Sequence, residues 1–279
     1  MRKELVFAII AGISIGLVVA FGTWNVSKII KKNVEVVINK ETPTPKNNIP
    51  ISIDTLKDFD VFNINPIIKG LASANTDIII STYENDYYTK SNSEGEFEVE
   101  IELPAGLSEV KISNPSTDGN ELKLLLVFST EVGEKLTSYV GTITDISSGA
   151  IQVKGNKGGI LQISTTSDTS YASKTDLAIG DYIVAMGIPA VNKVLDAKRI
   201  IIAPPLQENK QSLAGFAGKI EVTKITIEKL SKSKINDITL PKKWFGPNVK
   251  ELEVGQEIYV VGIRENDIFS LRSILTPVE

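Results

Sequence analysis

The stretch LAIGDYIVAMG, Leu177–Gly187, returns 75 residues further on as LEVGQEIYVVG, Leu252–Gly262. Each copy opens on a leucine, places a glycine fourth (Gly180, Gly255), runs through apolar residues (Ile183 to Met186, Ile258 to Val261) and closes on a second glycine (Gly187, Gly262). An apolar run bounded by glycines reads as a strand, entered through a turn and left through a turn or bulge. A stretch of this length recurring at a fixed distance marks a duplicated β module.

Working outward, Tyr139-Val140-Gly141-Thr142-Ile143 pairs with Phe216-Ala217-Gly218-Lys219-Ile220, and Arg199-Ile200-Ile201 with Arg272-Ser273-Ile274. The copies then occupy 135–204 and 215–279, joined by a linker over 205–214. Each has the strands of a small barrel in about 65 residues, a modest size for an independent core. The pattern resembles a bacterial domain family of unknown function with an OB-like barrel, found in tandem on secreted or anchored proteins. The resemblance implies a fold and carries no activity.

Upstream, residues 51–134 change to short period-two runs with turn punctuation. Strands are predicted at Phe59 to Ile64, Asp77 to Tyr83, Tyr87 to Lys90, Glu96 to Leu103, Ser108 to Ile112 and Leu122 to Ser129. EFEVEIEL is the clearest: Phe97, Val99, Ile101 and Leu103 take one face, Glu96, Glu98, Glu100 and Glu102 the other. So many short strands in about 80 residues predict a β-sandwich. Pro66 to Ala72, Asp77 to Ser81, Glu94-Gly95-Glu96-Phe97, Leu103 to Leu107 and Asp118-Gly119-Asn120 together resemble the bacterial Ig-like domains strung along exported proteins. Glu94 stands where that family has Asp, and Ser108-Glu109 departs at its Asn. The resemblance implies a spacer or adhesion module with no shared active site.

At the N-terminus, Leu5 to Trp24 contains no charge and is long enough, at about 30 Å, to span a bilayer core as one helix. The expected order is a short cytoplasmic tail (1–4), a transmembrane helix (5–24) and a juxtamembrane segment with a Pro-rich stalk (25–50). A cleaved signal peptide is the alternative, with Arg2 and Lys3 ahead of the apolar run and small residues at Ala20 and Gly22, although the run exceeds an ordinary signal core. Basic residues flank both ends of the segment, so orientation rests on the exported character of the β modules, which places them outside the cytoplasm. Ala8, Gly12, Gly16 and Ala20 recur every fourth residue and form a candidate helix-helix contact, hence a route to a homo-oligomer or a membrane complex.

The chain has no Cys and no His, which removes disulfides, thiolate zinc sites, thiol nucleophiles and Ser-His-Asp arrangements. No metal, cofactor or enzyme motif is legible. Residues 50–134 carry 5 Lys/Arg against 16 Asp/Glu, whereas the copies at 139–204 and 215–279 each balance to a net +1. That balance argues against a nucleic-acid partner despite the barrel resemblance. The one cationic aromatic loop, Lys242-Lys243-Trp244-Phe245, is the candidate ligand contact for a glycan, or else a plug over the end of a barrel. The sequence therefore predicts a mainly β chain: a single transmembrane helix, an Ig-like sandwich and two tandem OB-like barrels. The expected role is non-enzymatic binding or scaffolding in a bacterial cell envelope. Partners would be the membrane, other envelope proteins or cell-wall glycans.

Overall fold

The computed structural model describes residues 49–117, 120–130, 135–172, 176–203, 209–221, 223–228, 237–266 and 268–277. The predicted helix Leu5 to Trp24, with Ala8, Gly12, Gly16 and Ala20, and all but the end of the stalk lie outside these residues. Among the described residues no helix is long and apolar enough to cross a membrane. The chain is mainly β, with only two single-turn 3-10 segments among the described residues.

The N-terminal unit comprises β1 (Val61–Phe62), β2 (Ile67–Leu71), β3 (Asp77–Ser81), β4 (Asp86–Lys90), β5 (Glu96–Glu100), β6 (Gly106–Ser113) and β7 (Glu121–Phe128). One sheet runs β1-β7-β6-β3-β4, with β1 and β7 parallel; the other is the antiparallel pair β2-β5. Ile68, Phe97 and Ile101 meet Ile78, Ile80, Val110, Ile112, Leu124 and Leu126 between the sheets. The glutamates of EFEVEIEL face solvent and its apolar residues face inward, as the alternation predicts. The sequence reading lacks β2, whose alternation is broken at Gly70. A side chain there would collide with Ile53 and the Ser52 backbone, which bridges Leu71.

The first duplicated unit has β8 (Thr137–Ser147), β9 (Ala150–Gly155), β10 (Ile160–Ser164), β11 (Ser170–Tyr171), β12 (Tyr182–Pro189) and β13 (Val194–Ile202). β10-β9-β8-β12-β13 closes into a five-strand barrel through parallel pairing of Gln162–Ser164 with Val194–Asp196. The second unit has β14 (Lys210–Glu221), β15 (Lys224–Glu228), β16 (Asp237–Thr239), β17 (Glu257–Glu265) and β18 (Ile268–Leu275), in the same order, β16-β15-β14-β17-β18.

Hydrogen bonding corrects the alignment of the copies. Gly180 donates its N–H to Ile143 O (2.9 Å) and Ile143 donates to Asp181 O (2.8 Å). In the second copy Gly255 donates to Ala217 O and Ala217 to Gln256 O, so Ile143 matches Ala217 and not Ile220. Gly141 faces Ile183 and Gly215 faces Ile258, so Gly215, not Gly218, is the counterpart of Gly141. At the far end, Ile200 and Ile274 oppose Ala185 and Val260, which puts Ser273, not Arg272, opposite Arg199 in the alignment. The physical reason is a bulge in both first strands, between Ile143 and Asp145 and between Ala217 and Ile220, which breaks the period a sequence comparison follows. The glycine roles hold: Gly180 and Gly255 have φ of 100° and 86°, and register shifts fall at Met186/Gly187 and Val261/Gly262.

The three units are not beads in a row, since both duplicated units pack on the outer face of the five-stranded sheet. Ile183 and Ala185 fill the first barrel while Val184 and Met186, on the other face of β12, meet Leu107 and Val127. In the second duplicated unit Ile258 and Val260 point into its core while Tyr259 and Val261 meet Ile79. Each of these strands is thus covered on both faces.

Candidate functional site

The Lys242–Phe245 loop is bridged to β18 of the second duplicated unit. Phe245 is held by its backbone, donating to Arg272 O (2.9 Å) and accepting from Ile274 N–H (2.9 Å). Gly246, at φ 112°, follows because any Cβ there would run into the Ile274 carbonyl. Trp244 turns in: its ring packs on the core around Leu252 and Ile274, and its Nε1–H donates to Pro247 O (3.1 Å). Lys242 and Lys243 are exposed, and the Phe245 ring is 57% exposed. The loop therefore divides its aromatic pair, Trp244 as plug and Phe245 as a surface ring beside two cations. In the first barrel the matching backbone position is Ser170, whose Oγ–H bonds Lys198 O (3.1 Å), while Tyr171 next to it is 48% exposed.

Sequence reasoning missed a second cluster, in the seam between the sandwich and the second duplicated unit. The Asp86 side chain on β4 is fully buried; its Oδ2 accepts from Ser273 Oγ–H (2.5 Å) and pairs with Arg272 Nε (3.3 Å). Arg272 Nη1 donates to Thr82 O (3.0 Å), and the Lys210 ammonium donates to the same carbonyl. Lys111, itself buried, donates to Lys210 O (2.7 Å) and pairs with Glu121 (2.6 Å). Ser113 and Ser212 share a hydrogen bond (2.5 Å), and Tyr88 stacks on Tyr259 with centroids 5.3 Å apart. Burial, reinforced by the Arg272 charge, lowers the Lys210 ammonium to about 8. Burial also raises the Tyr88 and Tyr259 hydroxyls, with the Asp77 carboxylate adding to the effect. No sequence pattern marks these residues as a set, because they come together from strands and connecting segments far apart in the chain.

Two solvent-open grooves flank the glutamate row. One of about 580 Å³ is lined by Asp54, Lys69, Leu71, Lys90, Asn92 and Glu96, the other of about 460 Å³ by Asn65, Tyr87, Glu100 and Glu102. Lys69 pairs with Glu98 (3.0 Å), so part of the row is neutralised within the sheet. Among the described residues no group of three acidic side chains is placed to hold a metal.

No protein-family model and no curated protein matches the chain. Among solved structures, the chain is similar to one described as "Structure of the S-layer protein SbsC, domains 5-6", at 12% identity over 82% of this chain and 99% of that chain. The TM-score of 0.24 is too low for the likeness to carry a fold or a function.

Proposed function

We propose that the chain is a membrane-anchored, extracytoplasmic, non-enzymatic scaffold of the bacterial cell envelope, in which one Ig-like module and two OB-like modules form a single block. The Ig-like reading is supported by the sandwich order, with the first strand parallel to the last and Ser52 bridging β2 on the opposite sheet. The OB-like reading is supported by the five-strand Greek-key order shared by the two copies.

The observation that carries the scaffold reading is where the perturbed groups sit. Lys210, Tyr88 and Tyr259 lie in the seam, bonded or stacked across it, and not in an open cavity where a substrate would meet them. On the second barrel, Lys219 pairs with Glu221 and Lys224 with Asp237, so these cations do not form a one-sided basic face for nucleic acid. A second reading, a cell-wall glycan contact, is favoured by the exposed Phe245 in a loop that also exposes Lys242 and Lys243. That reading predicts both Trp244 and Phe245 exposed along a groove, and only Phe245 is exposed, Trp244 being half-buried.

Cell fractionation tests the primary reading. The full chain should stay with membranes through a high-salt wash, its β modules should be cut by protease added to intact spheroplasts, and deletion of 1–24 should release it. Recovery of a soluble polypeptide trimmed before residue 30 would replace the anchor with a signal peptide.

A further inference from the structure

The barrels dock on one sheet by different chemistry. The first is held by aliphatic packing of Leu107, Val127, Val140, Val184 and Met186, with polar contacts at Ser138 to Phe59 O and Arg199 to Thr130. The second buries a carboxylate, a guanidinium and an ammonium in its seam. Two charged-group atoms there have no hydrogen-bond partner: Asp86 Oδ1 and Arg272 Nη2. The first seam leaves Arg199 Nε unpartnered, but no carboxylate. Unpartnered polar atoms at a contact, charged ones above all, regain hydrogen bonds from water when the contact opens, which lowers the cost of opening.

We propose that the second barrel is a releasable module, undocking from the sandwich while the first barrel stays docked, with the Asp86-Arg272-Lys210 cluster as its latch. Opening frees the outer face of β3 and β4, exposing Ile79 and Tyr88, and uncovers Tyr259 and Val261 on the barrel. The block thereby has a closed form and a form with a fresh apolar and aromatic face on each side.

The groups facing the latch are Asp77, Asp86, Glu109, Lys111, Glu121, Arg272, Glu257 and the two tyrosines. Lys210 is the one that changes charge nearest neutrality. Its pKa is depressed in the docked form, so the undocked form holds the proton more tightly and docking strengthens as pH rises above about 8.

The chain has no cysteine, so single thiols can be placed as probes. Val261→Cys samples the second seam and Met186→Cys the first; both native side chains are fully buried. In the full-length protein, trapping of the Val261→Cys thiol by a water-soluble reagent should be about tenfold or more faster than that of Met186→Cys. Rates are corrected for thiolate fraction with a small reference thiol, and should then slow from pH 7 to 9, with Lys210→Met removing that slowing. Arg272→Met, which strips Asp86 of its cation, should accelerate trapping at residue 261 and leave residue 186 unchanged. Ala214→Cys is a second probe of the same seam. Equal trapping at both seams, at the rate of global unfolding, would overturn the proposal.

Discussion

Adding one methyl group at Gly187 tests the duplicated-bulge architecture at its tightest point. Gly187 sits where β12 shifts register against β13, and a Cβ there would lie on the Asp196 carbonyl and 2.9 Å from Ala197 Cα. Both are backbone atoms of a paired strand, so no side chain can rotate away and the strands must separate locally. Overpacking of a closed core costs about 1–3 kcal/mol, and a backbone collision belongs at or above the upper end, so Gly187→Ala should cost about 3 kcal/mol or more. Gly180→Ala is the internal control: nothing lies within 4 Å of its Cβ, but φ is 100°, so only left-handed strain applies, about 1–2 kcal/mol. At Gly262 the Ser270 carbonyl would be 2.5 Å from an added methyl and the Phe269 ring can move, so Gly262→Ala should fall between the two. Urea unfolding of the purified full chain, with unchanged slope, ranks the three variants. Gly187→Ala within about 0.5 kcal/mol of the parent would refute the close strand approach.

Replacing Arg272 by Met should destabilise the protein by about 3–5 kcal/mol, because a fully buried carboxylate loses its cation; Asp86→Asn in the same chain should recover part of it, measured by the same unfolding curves. Stability should climb with pH from about 8 until the tyrosines of the unfolded chain begin to ionise near 10, as docked Lys210 releases a proton that the unfolded chain keeps, and Lys210→Met should flatten the climb. Above about pH 10 stability should fall, since Tyr88 and Tyr259 ionise in the unfolded chain before they do in the fold; Tyr259→Phe should soften the decline. Phe245→Ser should leave the melting midpoint within about 1 °C yet abolish retention on cell-wall glycan, whereas Trp244→Ala should cost about 2–3 kcal/mol of stability.

Strand positions were legible wherever one face of a strand is wet. EFEVEIEL reads correctly because Glu98 and Glu100 remain in solvent while Phe97 and Ile101 do not. The docking of the barrels was also written in the sequence, in a form that alternation does not detect. Ile78-Ile79-Ile80, Leu124 to Val127 and the IVAM and IYVV segments at Ile183 and Ile258 are uninterrupted apolar runs, the mark of strands covered on both faces. The copies were recognisable from their glycines, but two glycines, Gly215 and Gly218, compete for one role, and only strand register decides between them. The Lys242–Phe245 loop was legible as a place but not as a division of labour, because nothing in the order of Trp244 and Phe245 states which ring packs inward. Asp86, Lys210 and Arg272 read as ordinary surface charges, since charged residues are rarely fully buried.

The central claim is that the barrels fold back onto a single sandwich sheet. Ser113 on β6 and Ser212 on β14, 99 residues apart, bring their hydroxyls to 2.5 Å across the second seam. In this cysteine-free chain the double variant Ser113→Cys, Ser212→Cys should form an intramolecular disulfide under mild oxidation, at protein concentrations low enough to exclude pairing between molecules. Thiols that stay reduced, or that link only between chains, would contradict the docked arrangement.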